Sequence, residues 1–308
     1  MATKLRIAVI GVGHLGQHHA RILAAMPEAD LVAVVDTRPD RAAEIATKYA
    51  TAPLTDHSSL VGNVDAVTIA TPTVLHVDIA LPFIEAGAAV LVEKPMAASL
   101  AEADRLVAAA EARGTLLAVG HTERFNPAVA AAVPLVSSPR FIEIHRLGTF
   151  PERSLDIDVI FDLMIHDLDI LLAVVGPEVD SVEAIGVNVL TPRIDIANAR
   201  LRFASGCIAN VTASRISRDR VRKARFFQHD SYVSIDYAAQ ELEVYRLVAQ
   251  NGGRPAIQGG PVEVASDEPL RRELADFVDA VRSRRQPAVT GRDGRAALAL
   301  ATRVAEVM

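Results

Sequence analysis

Disulfides, membrane spans and a basic face are all missing from this chain. Its 308 residues include a single cysteine, Cys207, so no intrachain disulfide can form. Cys207 sits in the apolar, strand-like run CIANVTA and is expected to be an inert buried thiol. No C-x-x-C pair or spaced Cys/His set is present, so no structural metal is expected. No apolar run approaches the roughly 18 residues of a transmembrane helix. MATKLR leads straight into a short strand with no signal-peptide core, so a reducing, cytoplasmic setting is expected. The net charge of −6 gives no footprint for nucleic acid or anionic lipid. Internal repeats and low-complexity segments are absent as well.

What is present is ordinary globular composition, 50% hydrophobic and 23% charged, in a chain long enough for two domains. Through residue 120, short runs rich in Val, Ile, Leu and Ala (LRIAVIG, LVAVVD, DAVTIAT, AVLVEKP, LLAVGH) lack polar alternation, as strands covered on both faces do. Between them lie helical patterns at Leu15 to Ala25, Pro39 to Tyr49, His76 to Ala86 and Ser99 to Arg113. The last has Ser99 as its N-cap, Glu102 three residues on, and Gly114 just past its end. This alternation predicts an α/β domain with a doubly wound parallel sheet over 1–120. Beyond it, one helix is expected from Asp158 to Val174, ended by Gly176 and Pro177. Strand-like runs follow without intervening helices (VDSVEAIGVNV, ANARLRFA, GCIANVTASR, VRKARFFQ, YVSIDY, ELEVYRLV), with Ala204-Ser205-Gly206 as a hairpin turn. Gln250 to Gly260 is expected to be a loop. Helical patterns at Asp267 to Arg284 and Asp293 to Val307 close the chain. Residues 121–308 are therefore expected to form an α+β domain with an open-faced, largely antiparallel sheet, the last helix being free to pack back on the first domain.

Gly11-Val12-Gly13-His14-Leu15-Gly16 fits G-x-G-x-x-G between a strand and a helix. Gly11 permits the tight turn, Gly13 lets backbone approach a pyrophosphate, and Gly16 lets the helix pack on the sheet. The helix N-terminus adds free N–H groups and a partial positive charge. A second strand ends at Asp36, an acid placed to accept adenosine ribose hydroxyls and repel a 2′-phosphate. The pattern predicts a Rossmann domain that binds NAD in preference to NADP, with Arg38 as the residue able to accommodate the phosphate. The alternatives are a glycine-rich turn without ligand and an Asp36 that only caps the next helix. His14 and His18 share metal-like i, i+4 spacing, and His19 adjoins them, but a third ligand is not evident and packing or surface roles are expected.

GVGHLGQHHA, together with ATPTVLH at 70–76, VEKP at 92–95 and DLMIHDLD at 162–169, resembles the Gfo/Idh/MocA oxidoreductase family along essentially the whole chain. The resemblance implies a Rossmann domain, an open-faced sheet domain, and oxidation or reduction of a sugar or cyclitol carbon with a nicotinamide cofactor. It implies that Thr71, Pro72, His76, Glu93, Lys94 and Asn126 join the glycine loop, Asp36 and Arg38 in holding that cofactor. It also implies a cis Lys94–Pro95 bond. Lys94 follows a strand, where open α/β sheets bind ligands, and a lysine there can stabilise developing alkoxide charge. Asp162 and His166 are four apart on an expected helix and share a face. Spacing alone favours a solvated face. The resemblance makes His166 the general base and Asp162 a group that orients substrate or supports the imidazole.

GHTERFNPAV at 120–129 and IDVIFDLMIHDLDI at 157–170 further resemble the branch that oxidises the 3-hydroxyl of UDP-N-acetylglucosamine to a ketone for later amination. This would put Arg124 and Asn126 near substrate, the alternative being a helix-start salt bridge and cap before Pro127. The basic run from Arg215 to Arg225 becomes a candidate for the diphosphate, with Arg215 as its first member. The alternative is a solvated face or an interface. Met164 stands where many members have glycine, which suggests a differently shaped pocket. Other readings are turnover of a free sugar or cyclitol, and a non-catalytic dinucleotide-binding regulator. An open sheet with one apolar face needs cover, so a homodimer or homotetramer is expected.

Overall fold

The computed structural model describes residues 4–150, 157–249 and 255–308. Its contacts form two compact units: Met1–Thr122 with Leu270–Arg295, and Glu123–Pro269 with Ala296–Met308.

In the first unit, strands β1 (Leu5–Ile10), β2 (Ala29–Val35), β3 (Ala52–Leu54), β4 (Ala66–Ile69), β5 (Ala89–Glu93) and β6 (Leu117–Gly120) pair in the order β3-β2-β1-β4-β5-β6. All these pairs are parallel. Helices α1 (Gly16–Ala25), α2 (Pro39–Tyr49), α3 (His76–Glu85) and α4 (Leu100–Arg113) supply the crossovers. The chain reverses its direction of travel between β1 and β4, the switch point at which such sheets bind ligands. β4, β5 and β6 are buried throughout, which explains their unbroken apolar sequences. At the start of α4, Ser99 accepts from the Glu102 N–H at 3.3 Å and Glu102 accepts from the Ala98 N–H at 3.0 Å, a capping box.

Helix α7 (Pro269–Ser283) also belongs to the first unit. Its Leu270, Leu274, Phe277 and Val278 join the core formed by Ile7, Val9, Leu31 and Leu23. A single cut at residue 120 therefore does not describe the packing. The apolar stripe of α7 has its burial in the first unit, and Thr290 bridges to Ala118 of β6. The last helix, α8 (Gly291–Glu306), is shared: through Arg295 it belongs to the first unit, with Arg292 and Arg295 on Glu111 and Asp104 of α4, while Ala297, Leu300, Ala301 and Val304 enter the core of the second unit.

The second unit is an eight-stranded sheet built from β7 (Phe141–Leu147), β8 (Val179–Val187), β9 (Ile196–Phe203), β10 (Ile208–Ser214), β11 (Val221–Phe227), β12 (Ser231–Asp236), β13 (Glu241–Val248) and β14 (Ala256–Val262). The order is β14-β13-β12-β11-β7-β10-β9-β8, antiparallel except for the β7–β10 pair. β9 and β10 form the expected hairpin through Ala204-Ser205-Gly206. β7 was not anticipated. Its Ile142 and Ile144 point into the core while Glu143 and His145 alternate outward, and those polar residues hide a central strand. The expected loop at Gln250 to Gly260 is also revised. Residues 250–254 lie outside the described segments, but 256–262 form the edge strand β14, where glycine is tolerated.

One face of this sheet packs on α5 (Pro127–Ala132), α6 (Ile165–Val175) and α8. The helix expected from Asp158 begins instead as a π-turn over Ile160–Met164 that runs into α6. Met164 is fully buried in the core. Cys207 is buried as expected, and burial pushes its thiol up to about 11. The opposite face carries a row of rings: Phe141 against Phe227 at 5.6 Å, Phe227 against Tyr232 at 5.1 Å, and Tyr232 against Tyr245 at 6.2 Å. Among the described residues, no helix is long and apolar enough to cross a membrane.

Candidate active site

In the first unit the glycine loop lies between β1 and α1. Gly11 has φ of +83°, and a Cβ there would sit 2.7 Å from the Ala70 carbonyl oxygen at the end of β4. A Cβ on Gly16 would overlap the carbonyl of Gly11, so only glycine lets α1 start this close to the loop. A Cβ on Gly13 would meet nothing within 4 Å, which leaves open space where a ligand's phosphates would sit. Val12 is buried, His14 and Leu15 are exposed, and no side chain caps α1. The His14 and His18 rings meet edge to face at 5.9 Å.

Asp36 follows β2 and accepts from the Val12 N–H at 3.3 Å, the Arg38 N–H at 3.1 Å and Arg38 Nε at 3.1 Å. Burial alone would raise its pKa. The hydrogen bonds and charge of Arg38, with the Val12 N–H, outweigh that and hold it below the usual carboxylate range. It is therefore an ionised acceptor next to the glycine loop, as ribose hydroxyls require. The gap at Gly13, the uncapped helix and this carboxylate together fit a dinucleotide. Arg41, which the sequence reading missed, braces the loop from α2. Its Nε donates to the Val12 carbonyl at 2.8 Å and its Nη2 to Gln17 at 2.9 Å. The available signal was its place one helical turn after Arg38.

His76 ties two segments of this unit together. Its ring nitrogens lie 2.9 Å from the Thr71 carbonyl and 3.0 Å from the Pro95 carbonyl. Burial pushes its pKa down, despite these carbonyls. Pro72 precedes the short 3₁₀ turn Thr73–Leu75, and the Thr71 methyl would lie 2.9 Å from a Cβ on Gly11. Lys94 is half-buried at the end of β5, and the Lys94–Pro95 bond is cis. The Glu93 side chain is engaged inside the unit. It is 5% exposed, lies 3.0 Å from His19 Nε2 on α1, and accepts from the Lys94 N–H at 3.3 Å. Beside it, burial and then the charge of Glu93 push the Glu273 carboxyl of α7 well above the usual range. His19 and Glu273 thus belong to the support of the Lys94 turn, a link between distant residues that sequence order does not display.

In the second unit Asp162 lies in the π-turn and His166 in the first turn of α6. Both stay half-buried while Met164 and Ile165 between them turn into the core. The other three candidates here hold structure. Arg124 Nε donates to buried Asp169 of α6 at 2.8 Å. Asn126 accepts from the Ala128 N–H at 3.0 Å, capping α5, and donates to the Tyr237 carbonyl at 2.9 Å. The salt bridge and cap before Pro127, the alternative to a substrate role, are what the structure contains. Arg215 is enclosed within the second unit. It is 2% exposed, donates to the carbonyls of Ile157 and Ile194, and pairs with Asp195 at 3.7 Å. Its charge is met inside the fold.

A buried ion cluster lies beside His166. Arg146 of β7 forks onto Asp167, the next residue, with bonds of 2.7 and 2.8 Å, and reaches Glu123 at 2.9 Å. Its guanidinium lies 5.2 Å from the centre of the Tyr237 ring. Burial disfavours its charge, but Asp167 and Glu123 dominate and push its pKa well above the ordinary value.

Residues 5–121 match the oxidoreductase family with an NAD-binding Rossmann fold, and residues 143–231 match the GFO/IDH/MocA C-terminal domain. The chain belongs to the Gfo/Idh/MocA oxidoreductase family. UDP-N-acetylglucosamine 3-dehydrogenase of Acidithiobacillus ferrooxidans is 39% identical over 302 residues, covering 97% of this chain and 96% of that one. A solved structure of that enzyme superposes with a TM-score of 0.92 at 37% identity, covering 100% of this chain and 98% of the other. The scyllo-inositol 2-dehydrogenase (NAD(+)) of Bacillus subtilis is 28% identical over 95% of this chain and 91% of its own. Levoglucosan dehydrogenase, solved with NADH and levoglucosan, shares the fold with a TM-score of 0.89 at 21% identity, covering 99% of this chain and 97% of that one. This family member is an NAD-dependent dehydrogenase with a Rossmann unit and a mostly antiparallel sheet unit.

Proposed function

We propose that this dehydrogenase oxidises the C3 hydroxyl of UDP-N-acetylglucosamine to a ketone. The observation that carries the reading is the 39% identity, over nearly the full length of both chains, to an enzyme named for that reaction. NAD, when bound, accepts the hydride. Gly13, Asp36 and the α1 N-terminus hold the dinucleotide, and His76 steadies the Thr71 loop against the turn that carries Lys94. Lys94 donates a hydrogen bond to the hydroxyl oxygen and stabilises negative charge as it develops. His166 removes the hydroxyl proton, and Asp162 orients the substrate or supports the charged imidazole. We also propose a cytoplasmic protein that associates with copies of itself through the ring-bearing sheet face. Oxidation of a cyclitol or free sugar is the second reading, supported by the 28% identity to an inositol dehydrogenase. A panel of UDP-sugars, free sugars and inositols with NAD, read as NADH absorbance, separates the two. Turnover of UDP-N-acetylglucosamine above the others is expected, and a response confined to inositols would overturn the reading.

A further inference from the structure

Arg222 of β11 is a cation with no hydrogen bond or ion pair among the described residues. In the β11–β7 ladder it stands directly opposite Arg146, a like-charge pairing that destabilises a sheet. Arg146 is fully engaged by Asp167 and Glu123, whereas among the described residues the Arg222 guanidinium has no hydrogen-bond or ion-pair partner. Arg220, two residues earlier, adds a third positive charge and, among the described residues, hydrogen-bonds only the Thr149 hydroxyl, at 3.3 Å. Among the described groups that act on one another here, three guanidiniums against two carboxylates leave net positive charge even with both acids ionised. Desolvation, then repulsion from Arg146, lowers the Arg222 pKa, against the attraction of Glu123 and Asp167. Its side chain is exposed and shares the parity of Ala224 and Phe226, which face α6. The cluster it adjoins includes Asp167, the residue after His166. Within this unit, an arginine with no ion-pair partner among the described residues therefore lies on the side of the sheet that carries the candidate base.

We propose that Arg222 is the anchor for a phosphate group of the substrate, an inference that rests on the nucleotide-sugar reading above. A guanidinium presents a planar fork that matches two phosphate oxygens, and such charge-assisted bonds are the strong ones. A bound phosphate would supply the negative charge that the Arg222–Arg146 juxtaposition lacks. This also moves the diphosphate contact from buried Arg215, seven residues earlier, to a member of the same basic run that remains available.

The test compares wild-type enzyme with Arg222→Met and Arg222→Lys, each loaded with NAD and titrated calorimetrically with UDP and with uridine. Arg222→Met is expected to weaken UDP binding by about 10- to 100-fold, the range for losing a charge-assisted hydrogen bond. Arg222→Lys should fall between it and wild type, because the charge stays and the fork is lost. Uridine, which has no phosphate, should bind both variants like wild type. Thermal unfolding supplies the readout that a structural role would move. Removing a repelled, unpartnered arginine should leave Tm unchanged or raise it. UDP binding unaltered in Arg222→Met overturns the proposal, and so does a lowered Tm with equal losses for UDP and uridine. Wild-type enzyme that binds no UDP overturns it together with the nucleotide-sugar reading. Turnover of UDP-N-acetylglucosamine with an unchanged KM in Arg222→Met overturns the anchor alone.

Discussion

The roles proposed for His166 and Lys94 are separable, and their variants should differ from those of the dinucleotide loop. His166→Ala is expected to lower kcat by about 10²–10⁴-fold, the usual contribution of a positioned general base. Its NAD affinity, read by fluorescence titration, should stay at the wild-type value, because the residues proposed to hold the dinucleotide are unaltered in that variant. Turnover close to wild type in that variant would remove His166 from the chemistry. Asp36 sets a different test. Its carboxylate holds Arg38 at 3.1 Å, so Asp36→Ser takes away a ribose acceptor and releases a guanidinium at the same time. The ratio of kcat/KM for NADP over NAD should rise by about tenfold or more, one charge-assisted bond's worth. An unchanged ratio would mean that Asp36 serves the loop rather than the cofactor.

At the scale of elements, a single buried acid organises the connection between β8 and β9. Asp195 accepts from the N–H groups of Val189, Leu190 and Thr191 at 2.9, 2.7 and 2.9 Å, and from the Thr191 hydroxyl at 2.7 Å. Burial opposes its ionisation, but these donors prevail and bring its pKa down to about 2. A folded-state pKa below the unfolded value of about 3.9 stabilises the fold at higher pH, and the gain disappears as pH falls through 2. Asp195→Asn should therefore have a lower Tm than wild type at pH 7, with the gap closing towards pH 2. A gap that is constant with pH would contradict the ionised assignment.

Elements with strong local signals were legible from sequence. The Ser99 cap with Glu102, the glycine loop and the β9–β10 turn all appear where their residues placed them. What was not legible depends on tertiary partners. Ile142 and Ile144 identify β7 only once α6 is there to cover them. Arg215, Arg124 and Asn126 are polar residues that looked available until their distant carbonyls and carboxylates came into view. Arg222 was equally visible in the basic run, but its lack of a partner is a property of the fold alone.

On the scale of the whole molecule, the open face of the second unit invites association. Phe141, Phe227, Tyr232 and Tyr245 form a continuous aromatic row on it. Light scattering at micromolar concentration should give a mass of at least two chains, and a monomer at that concentration would contradict the pairing of these faces. The central claim concerns chemistry, and product analysis after incubation with UDP-N-acetylglucosamine and NAD tests it most directly. The account predicts NADH formed in step with a nucleotide sugar two hydrogens lighter, with the carbonyl at C3. An unchanged nucleotide sugar, while a free sugar or inositol is oxidised under the same conditions, would contradict it.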